Sequence, residues 1–129
     1  MIKRFVRFIS SLFVQKKVWN PENDFVIMLT DESITVIRPG RVKEMIRWDD
    51  VRSISVITTD EGPFLPDVWF VLQGNDGQCQ FPQGAPKADE AYERISLFDG
   101  FDFETFIKSM SSTENARFLL WQQQPGPST

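Results

Sequence analysis

The sequence predicts an α+β fold: an antiparallel β-meander of about six strands, an N-terminal amphipathic helix and two C-terminal helices. Short runs of apolar residues lie between residues 25 and 81, separated by turn formers such as Asp31-Glu32-Ser33, Pro39-Gly40 and Gly74-Asn75-Asp76-Gly77. The apolar spacing changes to three-and-four in residues 1–17 and again after Pro86. With 129 residues, 41% apolar and 25% charged, the chain suits one core and has an ordinary globular composition. The expected organisation is a basic helix over 1–20, one domain over 21–121 and a disordered tail over 122–129.

In residues 1–17 the side chains Ile2, Phe5, Val6, Ile9, Leu12 and Phe13 form one stripe, with Lys3, Arg4, Arg7, Ser10, Ser11 and Lys17 opposite. Arg7 interrupts the apolar run, and the stretch is shorter than the ~20 residues of a membrane span. Asn20-Pro21 then marks a turn. Strands are expected at Phe25–Thr30, Ile34–Arg38 and Arg41–Trp48. In the third of these, Glu44 interrupts the face shared by Val42, Ile46 and Trp48.

Val51–Thr59 is rich in β-branched residues, with Val51 and Ile57 pointing opposite to Ile54 and Val56. Two prolines and a glycine between Asp60 and Pro66 forbid a continuous ladder, so this is the longest internal loop. The continuously apolar Val68–Leu72 reads as a central strand, and Gln78–Phe81 as its hairpin partner. In the first C-terminal helix Pro86 takes an early position and Ala88, Ala91, Tyr92, Ile95 and Phe98 form the stripe. In the second, Asp102 is the N-cap, Phe101 staples against Phe106, and Phe103, Phe106, Ile107 and Met110 share a face. Phe118–Trp121 is a last strand or extended segment, and the residues after it lack the apolar content to pack.

The chain has no histidine, which excludes Ser-His-Asp and Cys-His catalysis and removes the commonest metal ligand. One cysteine, Cys79, allows neither an internal disulfide nor a C-x-x-C site, and its place beside Phe81 predicts burial. No N-x-S/T sequon, P-loop, dinucleotide fingerprint or calcium loop is present. No cofactor and no metal are therefore expected. Residues 1–20 carry five basic side chains and no acid, whereas the rest carries nine basic against eighteen acidic ones. Such an acidic body repels phosphate backbones, which argues against nucleic acid as a partner.

A meander closed by a C-terminal helix, with Ile46-Arg47-Trp48-Asp49-Asp50-Val51 at its middle, resembles the pleckstrin-homology-like superfold and its half barrel. The chain also resembles a group of short, functionally uncharacterised bacterial proteins. That likeness is carried by Trp48-Asp49-Asp50-Val51, Thr58–Phe64, Asp67-Val68-Trp69, Pro82–Ala85 and Ser112–Ala116. It implies a shared fold and supplies no catalytic residues. Three of these polar segments, Thr59–Phe64, Pro82–Ala85 and Ser112–Asn115, have no core-forming periodicity and are candidates for one shared surface. Its candidate residues are Asp60, Glu61, Pro63, Phe64, Asp67, Gln83 and Asn115.

The predicted function is a non-catalytic module that binds another protein in the cytoplasm. One alternative is a peripheral adaptor at the inner membrane face. There Lys3, Arg4, Arg7, Lys16 and Lys17 would meet anionic lipid while Phe5, Ile9, Leu12 and Phe13 insert. A second alternative is an acid-based hydrolase using Asp60, Glu61 or Asp67. An open edge strand would also allow a homodimer.

Overall fold

The computed structural model describes residues 21–60 and 67–124. The helix expected at 1–17, Glu61–Pro66 of the long loop and the last five residues lie outside that description. A 3₁₀ turn at Pro21–Asp24 leads into β1 (Val26–Leu29), β2 (Ser33–Ile37) and β3 (Glu44–Arg47). These three form one antiparallel sheet in the order β1-β2-β3. A second 3₁₀ turn, Trp48–Asp50, feeds β4 (Val51–Thr58), β5 (Val68–Gly74) and β6 (Gln78–Pro82). After α1 (Ala88–Ile95) and α2 (Phe103–Ser109) the chain returns as β7 (Ala116–Gln122), giving a second antiparallel sheet β6-β5-β4-β7.

The fold is thus α+β, but it differs from the single six-stranded meander read from the sequence. Among the described residues there are seven strands in two sheets, and they do not close into a barrel. The gap lies between β3 and β6, where polar groups take the place of a ladder. Glu44 Oε1 accepts the Gln80 backbone N–H at 3.0 Å, and the Cys79 thiol donates to the Ile34 carbonyl at 3.7 Å. The charge that interrupted the β3 pattern therefore satisfies a donor on the edge of β6, which would otherwise cost about 1–3 kcal/mol if buried unpaired.

The division into two sheets is set at Trp48. Its backbone N–H donates to the Glu32 carbonyl and its indole Nε1 to the Thr30 carbonyl, both at 2.9 Å. The Arg94 guanidinium lies 4.4 Å from the ring centroid, and Phe98 approaches edge-on at 6.4 Å. One side chain thereby ties the β1–β2 turn, the corner between the sheets and α1 together. Trp48-Asp49-Asp50-Val51 is a structural corner.

Alternation along the strands sends Ile27, Ile34, Val36 and Ile46 inward from the first sheet and Ile54, Val56, Phe70, Leu72, Cys79 and Phe81 inward from the second. Ala88, Ala91 and Ile95 of α1 join them. Each large apolar side chain so buried contributes about 1.5–3 kcal/mol relative to exposure. Val51 also belongs to this core, although simple alternation set it opposite to Ile54 and Val56. A register shift between Val51 and Ser53 turns it inward.

Lys87, at φ 71°, forms the left-handed N-cap of α1, so the helix starts at Ala88 and Pro86 precedes it. The Asp102 cap of α2 is as expected: its carboxylate accepts the Thr105 backbone N–H at 2.9 Å and the Thr105 hydroxyl at 2.7 Å. These bonds hold its pKa below the usual carboxylate value. Phe101 does not follow the staple expected of it. Its ring lies edge-on to Tyr92 and Phe103, while Phe106 stacks on Tyr92 at 4.7 Å and on Phe70 at 5.9 Å. At the C-terminal end Gln122 pairs with Ser53 and the Gln123 N–H donates to the Arg52 carbonyl, so residues up to 123 are tied to β4.

Candidate interaction surface

Three polar segments separated in sequence meet at one end of the second sheet. The Thr58 hydroxyl, fully buried, donates to the Glu114 carbonyl at 2.7 Å and lies 3.1 Å from Ser112 Oγ. The Asp60 backbone N–H donates to Asn115 Oδ1 at 3.3 Å. Across the base of the long loop the Thr59 N–H donates to the Asp67 carbonyl at 2.9 Å. The Gln83 N–H extends the β5–β6 ladder to the Val68 carbonyl, and the Gln83 side chain donates from Nε2 to Met110 Sδ at 3.2 Å. Asp60, Asp67, Gln83 and Asn115 are therefore gathered on one rim. Glu61, Pro63 and Phe64 lie outside the described residues.

Beside this rim runs the face of α2 that Phe103, Phe106, Ile107 and Met110 were expected to share. Phe103, Ile107 and Met110 are 50%, 68% and 37% exposed. At 3.6 residues per turn they and Phe106 fall within an arc of about 100°, which a sequence pattern alone assigns to the buried side. The structure rotates α2 by roughly a quarter turn from that orientation. Phe106 and the fully buried Ser109 point inward, and the Ser109 hydroxyl donates to the Phe106 carbonyl at 2.6 Å. The ring stack Phe70–Phe106–Tyr92 sets this rotation and leaves the other three side chains partly exposed. The signal in the sequence was Ser109, a small polar residue suited to close packing one turn beyond Thr105.

The charge around the stripe is mostly negative. Asp60 and Asp67 flank the loop, Glu104 lies on the first turn of α2 and Glu114 precedes Asn115, while among the described residues α2 also carries Lys108 and β7 carries Arg117. The described hydrogen bonds at Asp60 and Asp67 are made by their backbone groups, and both residues are exposed.

Elsewhere the outer face of the first sheet exposes Val26, Met28 and Met45, which are adjacent through Thr35 and Ile37. A shallow depression of about 440 Å³ lies between the α1–α2 connection and β7. Its polar groups are used locally, since Trp121 Nε1 donates to the Asp99 carbonyl and Asp102 caps α2. Cys79 is fully buried, and burial pushes its thiol pKa up to about 12. Among the described residues no group of three or more Cys, Asp or Glu side chains is placed to hold a metal ion. Nor is any described helix long and apolar enough to cross a membrane. No family model, curated protein or solved structure matches the chain.

Proposed function

We propose that this protein is a non-catalytic binding module, and that it docks another protein on the α2 stripe and the adjoining rim. One observation carries this reading: Phe103, Ile107 and Met110 share one face of α2 and are 50%, 68% and 37% exposed, with the exposed acids Glu104 on the same helix and Asp60, Asp67 and Glu114 on the adjoining rim. An apolar centre with a polar rim is the usual anatomy of a protein contact. The carboxylates make the complementary partner a basic surface presenting one or two apolar side chains, which the negative field would also steer into place. Gln83, through Met110, and Asn115, through Asp60, hold the two sides of the rim in position.

Cytoplasmic residence belongs to the same proposal and is supported by a single, fully buried cysteine. A pleckstrin-homology-like kinship would suit a binding module. It is supported by two successive three-stranded meanders with a helix against them, and β7 beside β4 departs from it.

The test is affinity capture with the tagged full-length chain in its native cells, comparing wild type with Ile107→Asp. The reading expects one discrete protein with a basic apolar segment, retained by wild type and lost by the variant, with the thermal midpoint of the variant unchanged. Retention of the same proteins by both, or of none by either, contradicts it.

A further inference from the structure

The second sheet has two faces, and the core accounts for only one of them. The helices reach it through Phe70, whose ring lies 6.1 Å from Tyr92 and 5.9 Å from Phe106. The first sheet meets it on the same side, where Cys79 bonds Ile34 and the Ile46 side chain approaches Gly74. Strand alternation places Ser55, Ile57, Trp69 and Val71 on the opposite face, with Ser55 beside both Val71 and Leu119. Val71 is nevertheless only 4% exposed and Ser55 is completely buried, while Val71 stands outside the core cluster. Among the described hydrogen bonds and ring contacts, none joins Ser55 or Val71 to either helix or to the first sheet.

We infer that residues 1–17 dock their apolar stripe along this outer face, leaving Lys3, Arg4, Arg7 and Lys17 toward solvent. Three observations select this occupant. The described chain begins beside the face: Phe25 lies edge-on to Trp69 at 5.6 Å, and the Glu22 carboxylate touches the backbone at Gly84, just beyond Pro82, the β6 partner of Trp69. Only residues 18–20 separate the segment 1–17 from Pro21, a tether of about 10 Å that makes docking intramolecular. As a helix, seventeen residues would span about 25 Å, and the eight residues of β4 run about 26 Å. By contrast, the last five residues are Pro-Gly-Pro-Ser-Thr, and Glu61–Pro66 offers only two large apolar side chains. The outer face of the first sheet is a poorer seat, because Val26, Met28 and Met45 remain about half exposed.

Hydrogen exchange on the full-length protein tests this inference through the amides of residues 1–17. Wild type is measured without lipid and with vesicles of phosphatidylcholine containing phosphatidylserine, and Leu12→Asp and Val71→Asp are measured without lipid. The expected result is exchange slowed on the order of a hundredfold relative to the free 1–17 peptide, already without lipid. Both substitutions should return it toward the peptide rate while β4 and β5 amides stay protected. Leu12 is not part of the described core of residues 21–124, so its variant keeps the test decisive if Val71→Asp fails to fold. Peptide-like exchange in wild type, protection that appears only with vesicles, or protection that survives Leu12→Asp overturns the inference.

Discussion

Strand β4 carries two fully buried hydroxyls three residues apart on opposite faces of the sheet, and their substitution should have opposite consequences. Thr58 is satisfied: it donates to the Glu114 carbonyl at 2.7 Å and meets Ser112 Oγ at 3.1 Å. Thr58→Val preserves the shape of the side chain and removes both bonds. The Glu114 carbonyl keeps a longer contact to Ser112 Oγ at 3.4 Å, so the loss is one net hydrogen bond plus partial desolvation of an acceptor. This costs about 1–2 kcal/mol. Ser55 Oγ, in contrast, finds no hydrogen-bond partner among the described residues. Ser55→Ala removes a buried group with nothing to bond, and stability should be unchanged or raised by up to about 1 kcal/mol. At this chain length 1 kcal/mol corresponds to roughly 3–4 °C in thermal midpoint. Urea titration at constant m-value and a thermal melt would read both effects. An unchanged Thr58→Val, or a Ser55→Ala as damaging as Thr58→Val, would refute the assignment of bonds at this end of the sheet.

Other consequences follow from single side chains. Trp48→Phe removes the indole bond to Thr30 and weakens the stack under Arg94, a loss of about 2 kcal/mol measurable by denaturant titration. The Cys79 thiol, raised from its ordinary 9.0 to about 12 by burial, should resist a thiol reagent at pH 8 in the folded protein and react in urea. For the same group, the unfolded chain loses its proton first as pH rises. Stability should therefore fall between about pH 9 and 12, by at most about 1.4 kcal/mol per pH unit, as read by melts across that range. Asp102→Asn, which keeps a weaker cap acceptor, should lower the thermal midpoint less than Asp102→Ala does, because both Thr105 donors lose their partner in the alanine variant.

The strands were legible because their evidence is local. Short apolar or alternating runs broken by Pro39-Gly40 or Gly74–Gly77 mark β2, β5 and β6 to within two residues at each end. The partition into two sheets was not legible, since it depends on Trp48 reaching the Thr30 and Glu32 carbonyls across an intervening hairpin. Glu44 looked like an error in a strand pattern because its partner, the Gln80 N–H, lies thirty-six residues away. On the candidate surface, the lack of periodicity in residues 59–64, 82–85 and 112–115 singled them out as one surface, although Pro82 and Ala85 are buried and, of the described candidates in these segments, Asp60, Gln83 and Asn115 are exposed. The convergence of Asp60, Gln83 and Asn115 beside Thr58 and Met110 is a tertiary fact. The exposure of Ile107 was hidden for a related reason. An apolar arc on a short helix shows which residues share a side, while the ring stack with Tyr92 and Phe70 decides which side turns inward.

The most direct test of the binding-module account is site-specific photo-crosslinking in native cells, with the photoreactive residue placed at Ile107 in one strain and at Gln73, on the second sheet away from the rim, in another. The account predicts a discrete adduct from Ile107 that is absent from Gln73 and disappears when Glu104 and Glu114 are both replaced by lysine. Adducts of equal yield from the two positions, or an Ile107 adduct indifferent to that charge reversal, would contradict it.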